Sequence, residues 1–317
     1  MNTHVITINE LTRCFNGTKA VDQLSLEVYA GEIFGFLGHN GAGKTTTVRL
    51  LNGVIEPTSG SMRVLGLDPQ VDGPVLRART GVLTETPSMD ERLTAWDNLS
   101  IYADLYGVPR ADVRQRIEEL LTEFDLADRA HERVGGYSKG MKQRLALVRA
   151  LLHKPELIFL DEATSGLDPI SAHHVDELIE RMARRENRTV FLTTHNLVEA
   201  QKLCDRVAVL EHGRLVALGT PAELTRQYVH RLDVEIEVSE GQIPVAQGVL
   251  RSLPEMVLGE PARTNGALVV TINRHESIPD VLACLVQNDI RVYRLASQEA
   301  NLEQVYFTLH EEKEGVQ

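Results

Sequence analysis

The chain has 317 residues, 43% hydrophobic and 25% charged, with a net charge of −12. That length exceeds one typical domain and that balance can bury a sizeable core, so a large domain plus a small one is expected. The acidic sum disfavours a non-specific nucleic-acid binder, which needs a basic face. Cys14, Cys204 and Cys284 are far apart and form no CxxC pair, so they read as reduced, buried thiols of a cytoplasmic protein. No apolar run approaches the roughly 18 residues of a membrane span, and the N-terminus lacks a signal-peptide pattern. Any membrane association is expected to come through a partner.

Residues 4–10 and 24–28 alternate apolar with polar side chains and predict strands. Residues 33–37 form a short apolar strand that runs into a glycine-rich loop. A helix over 45–52 follows, ended by Gly53. A turn at 56–60 leads to a strand over 61–65. The middle is helical, over 94–106, 111–124 and 141–153, the last with Leu145, Val148, Leu151 and Leu152 on one face. The period then changes. Residues 157–160 predict a buried strand, 171–186 a helix, 189–194 a strand, and 207–210 with 215–217 a hairpin. Thr220, Pro221 and Glu223 carry the N-cap, first-turn proline and capping-box signals of a helix start. They close a first domain of about residues 1–225. In the remainder, 226–317, strands over 233–238, near 256–258, over 267–273 and over 290–296 alternate with helices over 245–253 and 277–288. That is the β-α-β-β-α-β order of a ferredoxin-like split, and a last helix follows over 301–312.

Gly38, Gly43, Lys44 and Thr45 satisfy G-x-x-x-x-G-K-[ST] in the loop Gly38-His39-Asn40-Gly41-Ala42-Gly43-Lys44-Thr45. A chance match in a chain this long is on the order of one in a hundred. The strand–loop–helix setting is the one the motif requires. Glycines let the backbone wrap a phosphate, so that amides and a helix N-terminus face the anion. Lys44 supplies a charge for the β- and γ-phosphates, and Thr45 a hydroxyl for Mg²⁺. Leu157-Ile158-Phe159-Leu160 ends in Asp161 and Glu162, two carboxylates at the tip of a strand, where ligands of open α/β sheets bind. Asp161 can hold Mg²⁺ through water, and Glu162 can polarise an attacking water. His195 follows the next sheet strand, which brings it towards the γ-phosphate. Ser138 is an N-cap with Gly140 in the first turn after it, a second helix N-terminus able to take an anion. One chain needs only one such site for its nucleotide, so the second suits another chain's ATP.

In this order and spacing, residues 4–225 resemble the nucleotide-binding subunit of an ABC (ATP-binding cassette) transporter. The resemblance implies an α/β fold of the P-loop NTPase type. Its RecA-like core carries an antiparallel β subdomain and an inserted helical subdomain at about 87–155, and a small α+β C-terminal domain follows. Gly38 to Thr46 looks like Walker A, and Leu157 to Glu162 like Walker B with Glu162 as general base. Ser165-Gly166-Leu167-Asp168 looks like the D-loop, whose Asp168 serves dimer contact. His195 looks like the switch histidine, and Phe15 sits where the family stacks an aromatic ring on adenine. Two segments depart from the pattern. Tyr137-Ser138-Lys139-Gly140-Met141 stands for the usual Leu-Ser-Gly-Gly-Gln; Ser138 and Gly140 survive, and Lys139 adds a charge facing the triphosphate or solvent. Glu85 replaces the loop glutamine, still offering oxygen to Mg²⁺ but adding negative charge near phosphate.

The tail, Asn301 to Leu309, is similar to that of exporter ATPases of the drug-resistance and polysaccharide-export kind. The resemblance therefore implies ATP and Mg²⁺ as ligands, a second copy of the chain closing an ATP sandwich, and a separate transmembrane permease. It places the chain at the cytoplasmic face of the membrane with neither nucleic acid nor direct membrane insertion. A non-transport ABC ATPase, such as a ribosome-acting factor, is the alternative; such proteins join two cassettes, and one is present. A repair-type ATPase needs a long coiled coil that is absent, and a P-loop kinase does not need the Ser138 segment.

Overall fold

The computed structural model describes residues 3–84, 89–229, 232–253, 257–264, 267–272, 275–297 and 300–314. They fall into two compact units, Met1–Thr220 and Pro221–Gln317. The first unit begins β1 (His4–Phe15), β2 (Thr18–Tyr29), β3 (Ile33–Leu37), α1 (Lys44–Leu51), β4 (Ser59–Val64), α2 (Gly73–Arg77) and β5 (Thr80–Leu83). It continues α3 (Ala95–Leu105), α4 (Arg110–Glu123), α5 (Lys139–Leu151), β6 (Leu157–Asp161), α6 (Pro169–Arg184), β7 (Thr189–Thr194), α7 (Leu197–Leu203), β8 (Arg206–Glu211) and β9 (Arg214–Gly219).

A six-stranded sheet runs β5-β6-β7-β3-β8-β9, parallel except for the β8–β9 hairpin. Every residue of β3, β6 and β7 is buried. Strands covered on both faces read as unbroken apolar runs, which is how they appear in the sequence. Phe34, Phe36 and Phe159 close around Phe191 between neighbouring strands. A smaller antiparallel sheet, β2-β1-β4, shares this core through Ile6, Ile8, Leu24, Leu26 and Val64. β1 and β2 both outrun their expected lengths. Alternation fails at Glu10 and Gln23, which take φ of 45° and 52°, and the ladder shifts register between Ile8 and Leu11. A bulge interrupts the pattern without ending the strand.

α3, α4 and α5 pack on one another as a helical layer. β5 was not foreseen: it has four residues and includes Gly81, where a Cβ would collide with the Ala150 carbonyl of α5. The short α2 and α7 were missed likewise, since five and seven residues carry little periodicity. Cys204 is buried, whereas Cys14 and Cys284 are half-buried, so the expectation of three buried thiols holds only for Cys204; all three are free.

The second unit runs α8 (Pro221–Tyr228), β10 (Leu232–Val238), α9 (Ile243–Arg251), β11 (Val257–Thr264), β12 (Ala267–Ile272), α10 (Ile278–Gln287), β13 (Val292–Ser297) and α11 (Leu302–Glu314). Its antiparallel sheet has the order β11-β12-β10-β13, the ferredoxin-like split read from the sequence. Val234, Ile236, Leu268 and Val270 face Ala246 and Leu250 of α9 and Val281 and Leu285 of α10 in a separate core. Asn301 and Gln304 exchange side-chain bonds to each other's backbone amides, a capping box that starts α11. α8, the helix expected to close the first domain near residue 225, packs on α11 and belongs to the second unit.

Candidate active site

The glycine-rich loop joins β3 to α1. Gly41 and Gly43 take φ of 89° and 105°, a region closed to most side chains. A Cβ on Gly43 would also stand under 3.0 Å from the Ala20 carbonyl oxygen. No side chain caps α1, so the amides of its first turn are left for another acceptor. The turn between β8 and β9 braces the cradle from outside: the Gly213 amide donates to the Ala42 carbonyl at 3.0 Å. Lys44 is buried, and its Nζ donates to the carbonyls of Gly38, at 2.6 Å, and His39, at 3.3 Å. His39 has its Nδ1 2.8 Å from the Asn40 carbonyl.

β6 delivers the carboxylates. Thr45 donates its hydroxyl to Asp161 Oδ2 at 3.0 Å, and the Thr193 hydroxyl donates to Oδ1. Glu162, just past the strand, takes a left-handed φ of 54° while its amide bonds to the Thr193 carbonyl. A non-glycine residue there is strained, and such outliers cluster at functional sites. Glu162 Oε2 lies 2.7 Å from His195 Nδ1. Oε1 lies 3.6 Å from Lys44 Nζ and, though buried, has no hydrogen-bond partner. A buried carboxylate oxygen without a partner is rare enough to need an explanation. His195 stands at the end of β7, its side chain 54% exposed. Lys44, Thr45, Asp161, Glu162 and His195 are thus brought together as expected.

Ser138 accepts the Met141 amide at 3.2 Å and caps α5 as read from the sequence. Gly140 is closed in by Ser171, whose Oγ would lie 2.8 Å from a Cβ there. Lys139 is exposed, and its ammonium lies against Gly166. Asp168 caps α6, accepting the Ile170 and Ser171 amides at 3.1 Å and the Ser171 hydroxyl at 2.6 Å. The Ser171 hydroxyl first, and then that residue's amide, lower its pKa. Phe15 ends β1 with its ring 42% exposed and the Arg13 guanidinium 4.5 Å from its centroid. Among the described residues no hydrogen bond or ion pair joins Ser138 or Gly140 to the loop of Gly38, Asn40, Gly41, Lys44, Thr45 and Thr46. Glu85 lies outside the described residues.

The model of the ABC transporter family matches residues 21–165. A fluoroquinolone-export ATP-binding protein of Mycobacterium tuberculosis is 39% identical over 286 residues, 89% of this chain and 93% of that protein. This chain belongs to the ABC transporter ATP-binding family. It is an ATP-binding, ATP-hydrolysing subunit of an ABC transporter, with the cassette fold. A bacitracin-transport ATP-binding protein of Bacillus licheniformis is 41% identical over 212 residues, 67% of this chain and 68% of the relative. A Nod-factor-export ATP-binding protein of Neorhizobium galegae is 34% identical, over 97% of this chain and 85% of the relative. A solved ABC-transporter ATP-binding subunit superposes with a TM-score of 0.65 at 31% identity, covering 71% of this chain and 93% of that one.

Sequence reasoning about this cassette missed three supports of the site. Buried Gln143 donates Nε2 to the Ala163 carbonyl at 2.7 Å, tying α5 to the residue after Glu162. Thr193 fixes the Asp161 carboxylate from β7. Glu199 of α7 accepts the hydroxyls of Thr164 and Thr194, each at 2.7 Å, bracing the chain on both sides of Glu162 and His195. Burial pushes the Glu199 carboxyl above its ordinary range against those hydrogen bonds. Thr193 and Thr194 read only as strand residues, and Gln143 as one polar position of a basic helix. Their partners are 20 or more residues away in sequence, except for Glu199 and Thr194.

Proposed function

We propose that two copies of this chain meet head to tail and hydrolyse ATP at their shared faces to drive export through a separate transmembrane permease. The observation that carries this reading is Glu162: one carboxylate oxygen is held by His195, and the other is buried, unpartnered and within ion-pair reach of Lys44. A base needs a free oxygen aimed at the proton it takes. Glu162 Oε1 accepts that proton from the attacking water, and His195 fixes the carboxylate's rotation. Lys44 and the amides from His39 through Thr46, with Gly38, Asn40, Gly41, Ala42, Gly43 and Thr45 among them, hold the phosphates. Phe15 stacks on the adenine. The glycine cradle fits a polyphosphate because its glycines leave the backbone amides uncovered and the Lys44 ammonium lies at the same loop.

Thr45 and Asp161 present hard oxygen donors 3.0 Å apart at the mouth of that cradle, a donor set that suits Mg²⁺. Bound there, Mg²⁺ would supply neutralisation of phosphate charge. Glu85 is proposed to join that set. Ser138 and Gly140, which make no hydrogen bond or ion pair to this chain's own glycine loop among the described residues, serve the ATP of the second copy, and Asp168 holds the loop that faces it. The permease as partner, the placement at the cytoplasmic face of the membrane and the absence of a nucleic-acid partner rest on the family and the relatives' names. No helix among the described residues is long and apolar enough to cross a membrane. Export follows the named activities of the fluoroquinolone and Nod-factor relatives.

The test is Glu162→Gln protein with ATP and Mg²⁺. Hydrolysis should fall by about 10²–10⁴-fold, the usual worth of a general base, while ATP converts the protein to a stable dimer in size-exclusion chromatography. A variant that stays monomeric with ATP and hydrolyses at the wild-type rate overturns the scheme.

A further inference from the structure

We propose that His39 of the phosphate loop and His212 of the β8–β9 turn form a binding site for a borderline divalent transition metal such as Zn²⁺, and that loading it slows ATP turnover. The two rings stand 5.4 Å apart between centroids, with their planes at 63°. An imidazole nitrogen bonded to zinc at about 2.0 Å puts its ring centroid about 3.2 Å from the ion, so two imidazoles on a tetrahedral ion stand about 5.2 Å apart. The observed spacing is within about 0.2 Å of that value, which is also within the range of an ordinary edge-to-face ring pair.

A second observation concerns which nitrogen is free. His39 Nδ1 lies 2.8 Å from the Asn40 carbonyl, an acceptor only, so Nδ1 carries the proton and donates. Nε2 is then left with its lone pair. Metal-binding histidines are oriented in this way, with one ring nitrogen donating to a carbonyl and the other facing the ion. Neither ring nitrogen of His212 has a hydrogen-bond partner among the described residues, and the side chain is exposed. The turn is already joined to the phosphate loop, since the Gly213 amide bonds to the Ala42 carbonyl at 3.0 Å, and to β2, since the Asp22 amide bonds to the Gly213 carbonyl at 2.9 Å. Binding therefore orders little that is not ordered already, which favours affinity.

Two protein ligands leave the remaining positions to water. The neighbouring charged groups are Lys44, whose ammonium bonds to the Gly38 and His39 carbonyls, and the surface pairs of Asp22 with Lys19 and Arg214. The ion adds a cross-link between the phosphate loop and the turn that braces it. A loop pinned in this way adjusts poorly when phosphates enter and leave, so turnover slows while the fold is untouched.

Metal binding is read without hydrolysis. Purified protein is titrated with Co²⁺, whose visible absorption reports imidazole ligation, and Zn²⁺ equivalents are counted by equilibrium dialysis. His39→Gln and His212→Asn are compared with wild type; asparagine is chosen because residue 212 has a φ of 49°, which asparagine tolerates. The expected result is one equivalent bound at micromolar metal by wild type and lost in both variants. His173→Gln serves as a control, because His173 and Glu177 form a separate pair on α6 and could take metal of their own. In parallel, micromolar Zn²⁺ should lower wild-type ATPase several-fold and leave His212→Asn, compared with its own metal-free rate, unaffected. If His39→Gln and His212→Asn bind as many equivalents as wild type, or wild type binds none at micromolar metal, the site does not exist. If the equivalent is bound but both proteins are inhibited equally, the proposed link to turnover is wrong.

Discussion

Gly43→Ala and Gly41→Ala change the same loop by the same methyl group and should behave differently. Both glycines have a left-handed φ, 105° and 89°, and forcing an L-residue there costs about 1–2 kcal/mol. Gly41 has nothing within 4 Å of its would-be Cβ, so that strain is its whole cost. At Gly43 the methyl would overlap the Ala20 carbonyl oxygen, with the Ala20 carbonyl carbon and Gly213 Cα at 3.5 and 3.6 Å behind it. Overpacking of a well-packed site adds about 1–3 kcal/mol, for a total of about 2–5 kcal/mol. The chain can keep the loop and lose stability, or relax the loop and lose nucleotide affinity, so both are measured. Thermal unfolding and titration with a fluorescent ATP analogue together should account for about 30-fold to several thousandfold at Gly43, and about 5–30-fold at Gly41. If Gly43→Ala matches wild type in both assays, or Gly41→Ala is the more damaging, the reading of this loop as a close-fitting backbone cradle braced by Ala20 is wrong.

Gln143→Leu removes the donor to the Ala163 carbonyl and leaves that buried oxygen unpaired, which costs about 1–3 kcal/mol in thermal unfolding. Because the glycine loop is untouched, ATP affinity should hold while kcat falls; equal losses of affinity and rate would show that Gln143 acts only through general stability. Glu199→Gln is a pH test. Burial raises the folded-state pKa of Glu199 above its ordinary 4.5, so the folded chain binds the proton more tightly than the unfolded one. That contribution is fully present below the ordinary value and is lost as pH rises through the raised one. The stability of Glu199→Gln relative to wild type should therefore increase with pH above 4.5 and be level below it, as followed by urea unfolding across pH. A relative stability that decreases with pH in that window refutes the assignment.

The phosphate loop and the acidic strand end were legible in the sequence because each is local. A glycine-rich turn between a strand and a helix dictates its own conformation, and four buried apolar residues ending in two acids read as an inner strand of a covered sheet. The second unit was legible for a similar reason: β10 and β12 alternate, and Ile236, Leu268 and Val270 are all buried on one face. What the sequence hid is non-local. β5 shows no alternation that four residues could reveal, and it exists because β6 supplies its parallel partner. The expected boundary near residue 225 and the division after Thr220 differ because the helix signals at Thr220 and Pro221 say where a helix starts but not which core it joins. Thr193, Thr194 and Glu199 look like ordinary strand and helix residues until the sheet sets them beside Asp161 and Thr164.

Lys139 and Gln143 show how one helix serves two sites. α5 carries Ser138 at its exposed N-terminus, where a second copy's ATP is proposed to lie. One turn further along, Gln143 bonds to the residue immediately after Glu162. Gly140 has no room for a side chain against Ser171, which Asp168 holds by its hydroxyl, and the Lys139 ammonium rests on Gly166 between them. The groups proposed to meet the other copy's nucleotide are therefore fastened, through Gln143, to the residue that follows Glu162, the proposed general base. Close-packed interiors transmit small displacements rather than absorbing them. On the proposed scheme, a shift of Ser138 on closing over phosphate is passed through Gln143 to Ala163, beside the left-handed backbone of Glu162. Where the family pattern has glycine, Lys139 sets its ammonium against Gly166, while the hydrogen bond that ties α5 to the residue after Glu162 is that of Gln143.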